Sequence, residues 1–320
     1  MSDLVNKLYN VGIVPVIVIN DAKDAKPLAE ALYKGGLPCA EVTFRTDAAE
    51  ESIKIITDAF PDMIVGAGTI LTTEQVDRAI GAGAKFIVSP GLNPKIVAYC
   101  TQKGVPIIPG CANPSDIEQA LEQGLDVVKF FPAEAAGGLN MIKSMSAPYT
   151  KVRFMPTGGI SAKNLNEYLA FPKIVACGGS WMVSGDLIKA GAYDKIEELT
   201  REAVSTMLGF EIYHVGINTA DESSAVSLAD TFEKAFGFTK KVGNSSVFAG
   251  TAFEMMMGNG LGQNGHIAIA TNFIERAIYH LELRGFKFNE DSKKFKADGS
   301  LAAIYFEGDF AGFALHLLQK

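Results

Sequence analysis

A lysine inside an apolar run is the most chemically informative residue of this sequence. Lys129 lies in Val127-Val128-Lys129-Phe130-Phe131, where an ammonium cation is costly to bury. Burial favours the neutral amine, which can attack a ketone and form a Schiff base. The alternative is a strand-end lysine whose ammonium group reaches water or pairs with a carboxylate. Spacing alone does not choose between these two interpretations.

A carboxylate and a guanidinium group belong to a second apolar run. Glu41 lies within this run, and Arg45 follows it by four residues. A buried carboxylate beside an imine-forming lysine can carry protons to and from the carbon next to the ketone. Arg45 can bind a substrate carboxylate through two parallel hydrogen bonds. The alternative is a structural Glu–Arg pair, which is the more common arrangement when such a pair is taken alone.

Eight apolar runs that alternate with amphipathic stretches must position these groups. Strands that are apolar on both faces predict a parallel sheet covered by helices, and eight such units favour a closed (β/α)8 TIM barrel, an α/β fold. We predict strands at Ile13–Ile19, Cys39–Phe44, Met63–Val65, Phe86–Val88, Val105–Ile108, Asp126–Phe131, Val152–Met155 and Ile174–Cys177. The predicted helices are Ala48–Phe60, Glu74–Gly81, Pro94–Lys103, Pro114–Glu122, Ala162–Ala170 and Ala192–Leu208. In this fold the reacting groups project from the carboxyl ends of the strands.

Two glycine-rich turns follow the last two predicted strands. Loops at these positions often hold phosphate in barrels, because glycine lets backbone N–H groups approach an anion closely. One glycine pair would be weak evidence, since turns need glycine for other reasons. Two pairs after the two expected strands favour an anion site. The turns are Thr157-Gly158-Gly159 and Gly178-Gly179-Ser180.

Composition limits the classes of protein that this chain can belong to. With 320 residues, 48% of them hydrophobic, the chain is long enough for about two domains and too apolar for intrinsic disorder. A net charge of −7 argues against general binding to nucleic acid or to anionic membranes. Residues 1–213 contain no histidine, which excludes a histidine-ligated zinc in the barrel. A carboxylate-bound magnesium is not excluded.

Cysteine usage and hydropathy indicate the compartment. The four cysteines form no CxxC pair, which argues against a disulfide framework or a zinc ribbon and favours a reducing cytoplasm. The longest N-terminal apolar run, Val11 to Ile19, is short and is broken by Pro15. We therefore expect no signal peptide and no membrane span.

The pattern changes after Gly209 and predicts a second domain. We place the barrel at residues 1–208 and an α+β domain of two βαβββ modules at residues 212–320, from an internal duplication. The first module has a strand Tyr213–Asn218, a helix Ser223–Phe236 and strands Val247–Ala249 and Ala252–Met256. The second has a strand His266–Thr271, a helix Ile274–Arg284 and strands Leu301–Phe306 and Phe313–Leu318.

Motifs of the first domain carry a specific family resemblance. In order over about residues 5–205, the sequence resembles the 2-keto-3-deoxy-6-phosphogluconate (KDPG) and 4-hydroxy-2-oxoglutarate (KHG) aldolases. The motifs are Glu41-Val-Thr-Phe-Arg-Thr, Gly66-Ala-Gly-Thr, Ser89-Pro-Gly, Lys129-Phe-Phe-Pro-Ala-Glu, Thr157-Gly-Gly-Ile and Gly178-Gly-Ser-Trp. The resemblance implies a class I aldolase that forms a Schiff base, releases pyruvate, needs no cofactor and assembles as a homotrimer.

The resemblance also implies a role for each matching position. Lys129 corresponds to the imine lysine and Glu41 to the general acid and base. Carboxylate contacts come from Arg45 and Thr69, and Pro90 and Phe131 line the pocket. The implied phosphate site comprises the turn residues Thr157, Gly158, Gly159, Gly179 and Ser180.

The expected reaction is reversible cleavage of KDPG to pyruvate and glyceraldehyde 3-phosphate. One alternative is KHG as the substrate, which gives glyoxylate and pyruvate and has no phosphate. A second alternative is a metal-dependent binder or sensor that works through the C-terminal domain, with the barrel as a scaffold.

The C-terminal domain resembles the vicinal oxygen chelate superfamily, which includes the glyoxalases and bleomycin-resistance proteins. The likeness covers residues 212–320 and implies a cupped sheet that holds a divalent metal. The implied ligands are His214, Glu254, His266 and His316. Strand alternation independently sets each of these residues opposite its apolar neighbours. Zn, Fe, Ni or Mn would suit such ligands. The alternative is a degenerate module whose polar residues line a hydrated cup.

Overall fold

The polypeptide folds into two compact units. The computed structural model describes residues 3–320, and the boundary between the units falls between Met207 and Leu208. No helix within this described range is both long and apolar enough to span a membrane.

Eight strands form the centre of the first unit. In chain order they are β1 (Ile13–Ile17), β2 (Cys39–Thr43), β3 (Ile64–Gly68), β4 (Phe86–Val88), β5 (Ile107–Ile108), β6 (Val127–Phe130), β7 (Arg153–Pro156) and β8 (Cys177–Gly179). Six of them form a parallel sheet in the order β5-β4-β3-β2-β1-β8, and β6 pairs with β7. Single parallel bridges from Gly110 to Lys129 and from Thr157 to Gly178 connect the β6–β7 pair to both ends of the larger sheet.

Ten helices alternate with these strands. They are α1 (Asp3–Val11), α2 (Ala25–Lys34), α3 (Ala49–Ala59), α4 (Thr73–Gly81), α5 (Pro94–Lys103), α6 (Pro114–Glu122), α7 (Gly138–Ser146), α8 (Leu165–Leu169), α9 (Gly185–Lys189) and α10 (Tyr193–Leu208). The bounds of α5 and α6 agree with the sequence prediction. Asn93 and Asn113 cap these two helices through their side chains, and each is followed by a proline at the first helical position. The Asn-Pro pair is therefore a reliable helix start.

The predicted eighth strand, Ile174–Cys177, begins too early: of this run only Cys177 lies in β8, and Ile174 forms a single parallel bridge to Phe154 of β7. The strand begins at Cys177 and continues through the two glycines that we had assigned to the following turn. A Cβ atom at Gly178 would lie 2.3 Å from Oγ1 of Thr157, and one at Gly179 would lie 2.0 Å from the ring of Trp181. Close packing therefore requires glycine in this strand. The prediction missed this because the apolar residues before Cys177 match the usual composition of a strand better than the two glycines do.

The predicted helix Ala162–Ala170 is also too long. The structure has a helix only at Leu165–Leu169. Before it, the amide of Ser161 donates to Oδ1 of Asn164, and this bond belongs to a turn. The local side-chain bond competes with the first helical turn and delays the start of α8.

The second unit contains one eight-stranded sheet and two helices. Its elements are β9 (Glu211–Asn218), α11 (Glu222–Phe236), β10 (Lys240–Val242), β11 (Ser246–Ala249), β12 (Phe253–Met256), β13 (Gly265–Thr271), α12 (Ile274–Glu282), β14 (Phe288–Phe295), β15 (Leu301–Phe306) and β16 (Phe313–Gln319). The strand order is β10-β11-β12-β9-β13-β16-β15-β14. The sequence did not predict β10 and β14, which are the two edge strands. Both are rich in exposed polar residues, as is usual at sheet edges, and they lack a clear apolar alternation.

Glycine substitutions test how tightly the first unit is packed. A Cβ atom at Gly66 in β3 would lie 2.3 Å from the ring of Phe86. We expect Gly66→Ala to lower the free energy of unfolding by about 1–3 kcal/mol, because the ring must move. Urea titration followed by the fluorescence of Trp181, the only tryptophan of the chain, reports on this unit.

The matched control is Gly81→Ala at the end of α4. A Cβ atom there would meet nothing within 4 Å. Alanine at this helical position should leave stability unchanged or raise it by up to about 1 kcal/mol. Equal stability of Gly66→Ala and the unmodified chain would contradict the packing argument.

Candidate active site

A buried ion pair occupies the centre of the first unit. Nζ of Lys129 in β6 lies 3.2 Å from Oε1 of Glu41 in β2, and both residues are buried. The second carboxylate oxygen of Glu41, Oε2, is buried and has no hydrogen-bond partner in the described part of the chain. An amine and a carboxylate with a free oxygen, held within hydrogen-bond distance, can form an imine and move protons at the adjacent carbon.

Small residues on the neighbouring strands make room for this pair. A Cβ atom at Gly68 in β3 would lie 2.2 Å from Oε1 of Glu41, and one at Gly110 would lie 2.0 Å from the carbonyl oxygen of Pro90. Gly110 also bridges directly to Lys129. Sequence reasoning assigned no role to Gly68 and Gly110. The signal that could have identified Gly68 is a glycine inside an apolar strand, which marks a close approach.

An aromatic ring lies beside the lysine. Nζ of Lys129 is 5.4 Å from the ring centroid of Phe131, within the range of a cation–π contact. Phe131 follows β6 directly, so its ring and the amine share the carboxyl end of that strand. The ring therefore presents an apolar surface next to the amine.

A polar pair lies at the ends of β2 and β3. Nε of Arg45 donates a hydrogen bond to Oγ1 of Thr69 at 3.2 Å. Arg45 is exposed, and Thr69 is one of the two non-glycine residues in the described range that have a positive φ, at 58°. Because Nε is only one of five guanidinium donors, the two terminal nitrogens stay available to bind a carboxylate in two-point fashion.

The two glycine turns lie at the ends of β7 and β8. Gly158 and Gly159 have φ values of 99° and 83°, which favour glycine. Thr157 forms a parallel backbone bridge with Gly178, and within residues 3–320 the amide of Gly159 has no hydrogen-bond acceptor. Oγ1 of Thr157 is buried without a partner among the same residues, and Ser180 is exposed. These groups can bind an anion, and among the described residues no hydrogen bond joins them to the side chains of Lys129 or Glu41.

The second unit contains a separate cluster of buried polar residues. Nε2 of His214 and Nε2 of His266 lie 2.9 Å apart, and each is 3.2 Å from Oε2 of Glu254. Oε1 of Glu254 accepts a 2.6 Å hydrogen bond from Ser246. Three donor atoms of the kind that bind transition metals thus converge on one face of the sheet.

His316 adds a fourth side chain to this cluster. Within 3–320 its two ring nitrogens are buried and have no hydrogen-bond partner, and the rings of His214 and His266 lie 5.7 and 5.2 Å away between centroids. Burial and the neighbouring imidazoles lower the pKa of His316 to about 3, so its ring is neutral near pH 7. A neutral imidazole is the form that binds a metal.

The backbone register explains how these residues meet. Gly216 in β9 pairs with both His266 in β13 and Glu254 in β12. A Cβ atom at Gly216 would lie 2.1 Å from the ring of His266. His214 pairs with Ala268, which in turn pairs with His316. The short side chains at positions 216 and 268 leave the space that the imidazole rings occupy.

Burial and hydrogen bonding act in opposite directions on Glu254. Burial by itself raises the pKa of this carboxyl group, but hydrogen bonds with His214, His266 and Ser246 lower the pKa well below its usual range. Glu254 is therefore a carboxylate at every physiological pH. Its negative charge is held next to three imidazole rings.

Comparison with known proteins places the first unit in a family. The family described as KDPG and KHG aldolase matches residues 4–199. A 2-dehydro-3-deoxy-phosphogluconate aldolase of Treponema pallidum is 50% identical over 204 residues, which cover 64% of this chain and 97% of the relative. Its counterpart in Haemophilus influenzae is 51% identical over 203 residues, which cover 63% and 96%. The second unit lies outside the matched family range.

Solved structures give the same result. A KDPG aldolase from Legionella pneumophila, with pyruvate captured as a covalent carbinolamine intermediate, is 40% identical with a TM-score of 0.60 and covers 62% of this chain and 97% of its own. The KDPG aldolase of Zymomonas mobilis with 3-phosphoglycerate is 43% identical with a TM-score of 0.58 and covers 62% and 94%. Because the family match extends over more than half of the sequence, the chain belongs to the KDPG and KHG aldolase family.

Proposed function

We propose that this chain is a class I aldolase that cleaves KDPG to pyruvate and glyceraldehyde 3-phosphate. The observation that carries this function is the buried Lys129–Glu41 pair, with 3.2 Å between Nζ and Oε1, in a unit about half identical to curated aldolases of this substrate. The covalent carbinolamine of the Legionella enzyme supports an amine as the attacking group in this family.

Lys129 and Glu41 divide the covalent steps between them. The amine of Lys129 adds to the C2 ketone to form a carbinolamine, and loss of water gives the imine. Removal of the proton from the C4 hydroxyl group lets the C3–C4 bond break, and C4 leaves as the aldehyde group of glyceraldehyde 3-phosphate. The electron pair of the broken bond moves into the imine and gives an enamine. Protonation of the enamine at C3 and hydrolysis release pyruvate. Oε2 of Glu41, which has no hydrogen-bond partner among residues 3–320, can hold the transferred proton.

Groups around the pair supply substrate contacts. Arg45 and Thr69 bind the carboxylate of the 2-keto acid, since a guanidinium group with free terminal nitrogens lies at the end of β2. Pro90 and Phe131 line the pocket. Thr157, Gly158, Gly159, Gly179 and Ser180 bind the phosphate, and the Gly159 amide, which has no acceptor among residues 3–320, supports this role. The 3-phosphoglycerate bound by the Zymomonas relative is a phosphorylated three-carbon acid, consistent with such a site.

Reductive trapping tests the imine. Borohydride in the presence of pyruvate should reduce the Schiff base to a stable secondary amine on Lys129, detected by peptide mass spectrometry. Lys129→Met should give no adduct and should lower kcat by a factor of about 1,000 or more. The control is Lys143→Met in α7, an exposed lysine whose loss should leave both readouts unchanged. Wild-type cleavage by Lys129→Met would rule out the mechanism.

KHG is the second candidate substrate because the family described by the match includes KHG aldolases. Ser180→Ala distinguishes the two substrates, since only KDPG carries a phosphate. We expect kcat/KM for KDPG to fall about tenfold, through loss of a charge-assisted hydrogen bond, with kcat/KM for KHG unchanged. Ser144→Ala on the exposed side of α7 is the control. Equal losses for both substrates would contradict a phosphate contact at Ser180.

Finer features of the assembly belong to the same proposal. The bridges from Gly110 to Lys129 and from Thr157 to Gly178 support closure of the eight strands into one (β/α)8 barrel. The proposed domains are the barrel at residues 1–208 and the α+β domain at 212–320. We also propose a homotrimer and a cytoplasmic location. Light scattering coupled to size-exclusion chromatography should give about three times the 34.1 kDa of one chain.

The second unit has the element order of two βαβββ modules, which supports a vicinal-oxygen-chelate fold. The buried His214, His266 and His316 with the half-buried Glu254 suit a divalent metal, since the three histidines converge and both nitrogens of His316 are without partners among residues 3–320. A metal held there would act as a Lewis acid toward an oxygen ligand. The fold, the metal and any sensing role of this unit are proposals.

Metal analysis tests the cluster. The full chain, treated with chelator and then titrated with Zn²⁺, Ni²⁺ or Mn²⁺, should bind one equivalent of at least one of these ions. His266→Ala should weaken binding at least about 100-fold because it removes a ligand, while KDPG cleavage stays unchanged. The control is Glu290→Gln on the exposed edge strand β14. Identical metal binding by His266→Ala and the unmodified chain would exclude this cluster.

A further inference from the structure

A carboxylate–phenol pair lies behind the first glycine turn. The hydroxyl group of Tyr168 in α8 donates a hydrogen bond to Oε1 of Glu134, which follows β6 by four residues. Tyr168 is 2% exposed, so the phenol is committed to this contact. Burial and the bond to Glu134 raise the pKa of Tyr168, and its O–H therefore remains a donor throughout the physiological range.

Backbone bonds connect this pair to the turn. The amide of Glu134 donates to the carbonyl of Gly158 at 3.0 Å, and the amide of Ala133 donates to the carbonyl of Thr157 at 2.8 Å. A Cβ atom at Gly159 would lie 2.5 Å from Cγ of Glu134, so the Glu134 side chain packs directly against the turn. Any movement of Glu134 must therefore displace the turn.

The same packing orients the polar groups of the turn. Nδ2 of Asn164 donates to the carbonyl of Gly159 at 3.1 Å, and Glu134 already holds the carbonyl of Gly158. With both carbonyl groups engaged and Thr157 bridged to Gly178 of β8, the amide of Gly159 is the donor of this turn that has no acceptor among residues 3–320. A turn fixed in this state binds an anion without first losing conformational entropy.

We propose that Glu134 and Tyr168 are positioning residues that hold the Gly158-Gly159 turn ready for the phosphate group, and that they thereby set the preference for phosphorylated over non-phosphorylated 2-keto acids. This inference rests on the proposed aldolase function. It adds two residues to the specificity machinery, neither of which carries the imine or its protons.

Removing the charge of Glu134 distinguishes a geometric role of this residue from an electrostatic role. A carboxylate near a phosphate site opposes anion binding, so its benefit must come from the contacts that it makes. Glu134→Gln removes the charge and keeps an oxygen that can accept from Tyr168. Glu134→Ala removes both. A positioning role predicts that Glu134→Gln keeps the KM for KDPG of the unmodified chain and that Glu134→Ala raises it.

Steady-state kinetics with two substrates tests this role. Tyr168→Phe and Glu134→Ala should raise the KM for KDPG about tenfold and change kcat by less than about twofold. Glu134→Gln should keep the KM of the unmodified chain or lower it. For all three variants, KHG cleavage and the borohydride adduct with pyruvate should be unchanged. The control is Tyr149→Phe, which removes the matched 2.8 Å bond from Tyr149 to Glu118 at the protein surface.

Distinct results would overturn the two proposals. An unchanged KM for KDPG in Tyr168→Phe and Glu134→Ala, or equal losses with KDPG and KHG, would overturn the positioning role. Failure of Glu134→Gln to restore KM would also overturn it, including when Glu134→Ala does not fold. Absence of KDPG cleavage and of a pyruvate adduct in the unmodified chain would instead overturn the aldolase function.

Discussion

The burial of one amine and one carboxylate in an apolar interior constrains the whole first unit. Removing two charges from water costs several kcal/mol per ion, and this cost is recovered only if the partners meet at close range. Lys129 and Glu41 are 88 positions apart in the sequence, yet their side chains meet because β2 and β6 both direct residues into the same interior. The surrounding strands must leave space for the pair, exclude water from it and keep one side open.

Glycine residues leave the space that the buried pair needs. At position 68 the absence of a side chain gives room to Glu41, and at position 110 it gives room to the backbone of Pro90. Water is excluded from the pair by strands that are buried on both faces, such as β2 and β3. The open side lies at the strand ends, where Arg45 and Ser180 are exposed. The proposed reacting pair is thus buried, and the proposed substrate contacts Arg45 and Ser180 lie at the surface of the same unit.

Much of this arrangement could be predicted from the sequence, and the exceptions have physical causes. The lysine and the glutamate stand out because charged residues are rare in apolar strands, and Asn-Pro pairs mark α5 and α6 to the residue. The eighth strand was misplaced because its glycines were taken as a turn, although tertiary packing against Thr157 selects them. The proposed role of Glu134 could not be predicted, since it depends on the contact with Tyr168, a residue 34 positions away in the chain.

The glycines around the buried pair also restrict how a protein of this kind can diversify. A methyl group at position 68 would displace the carboxylate of Glu41, and one at 178 would collide with Thr157. These positions have no room for a side chain, so substitution of the glycine would disturb the packing around it. Arg45 and Ser180 are exposed and can change without disturbing the interior. The proposed substrate contacts at the strand ends can therefore vary independently of the buried pair.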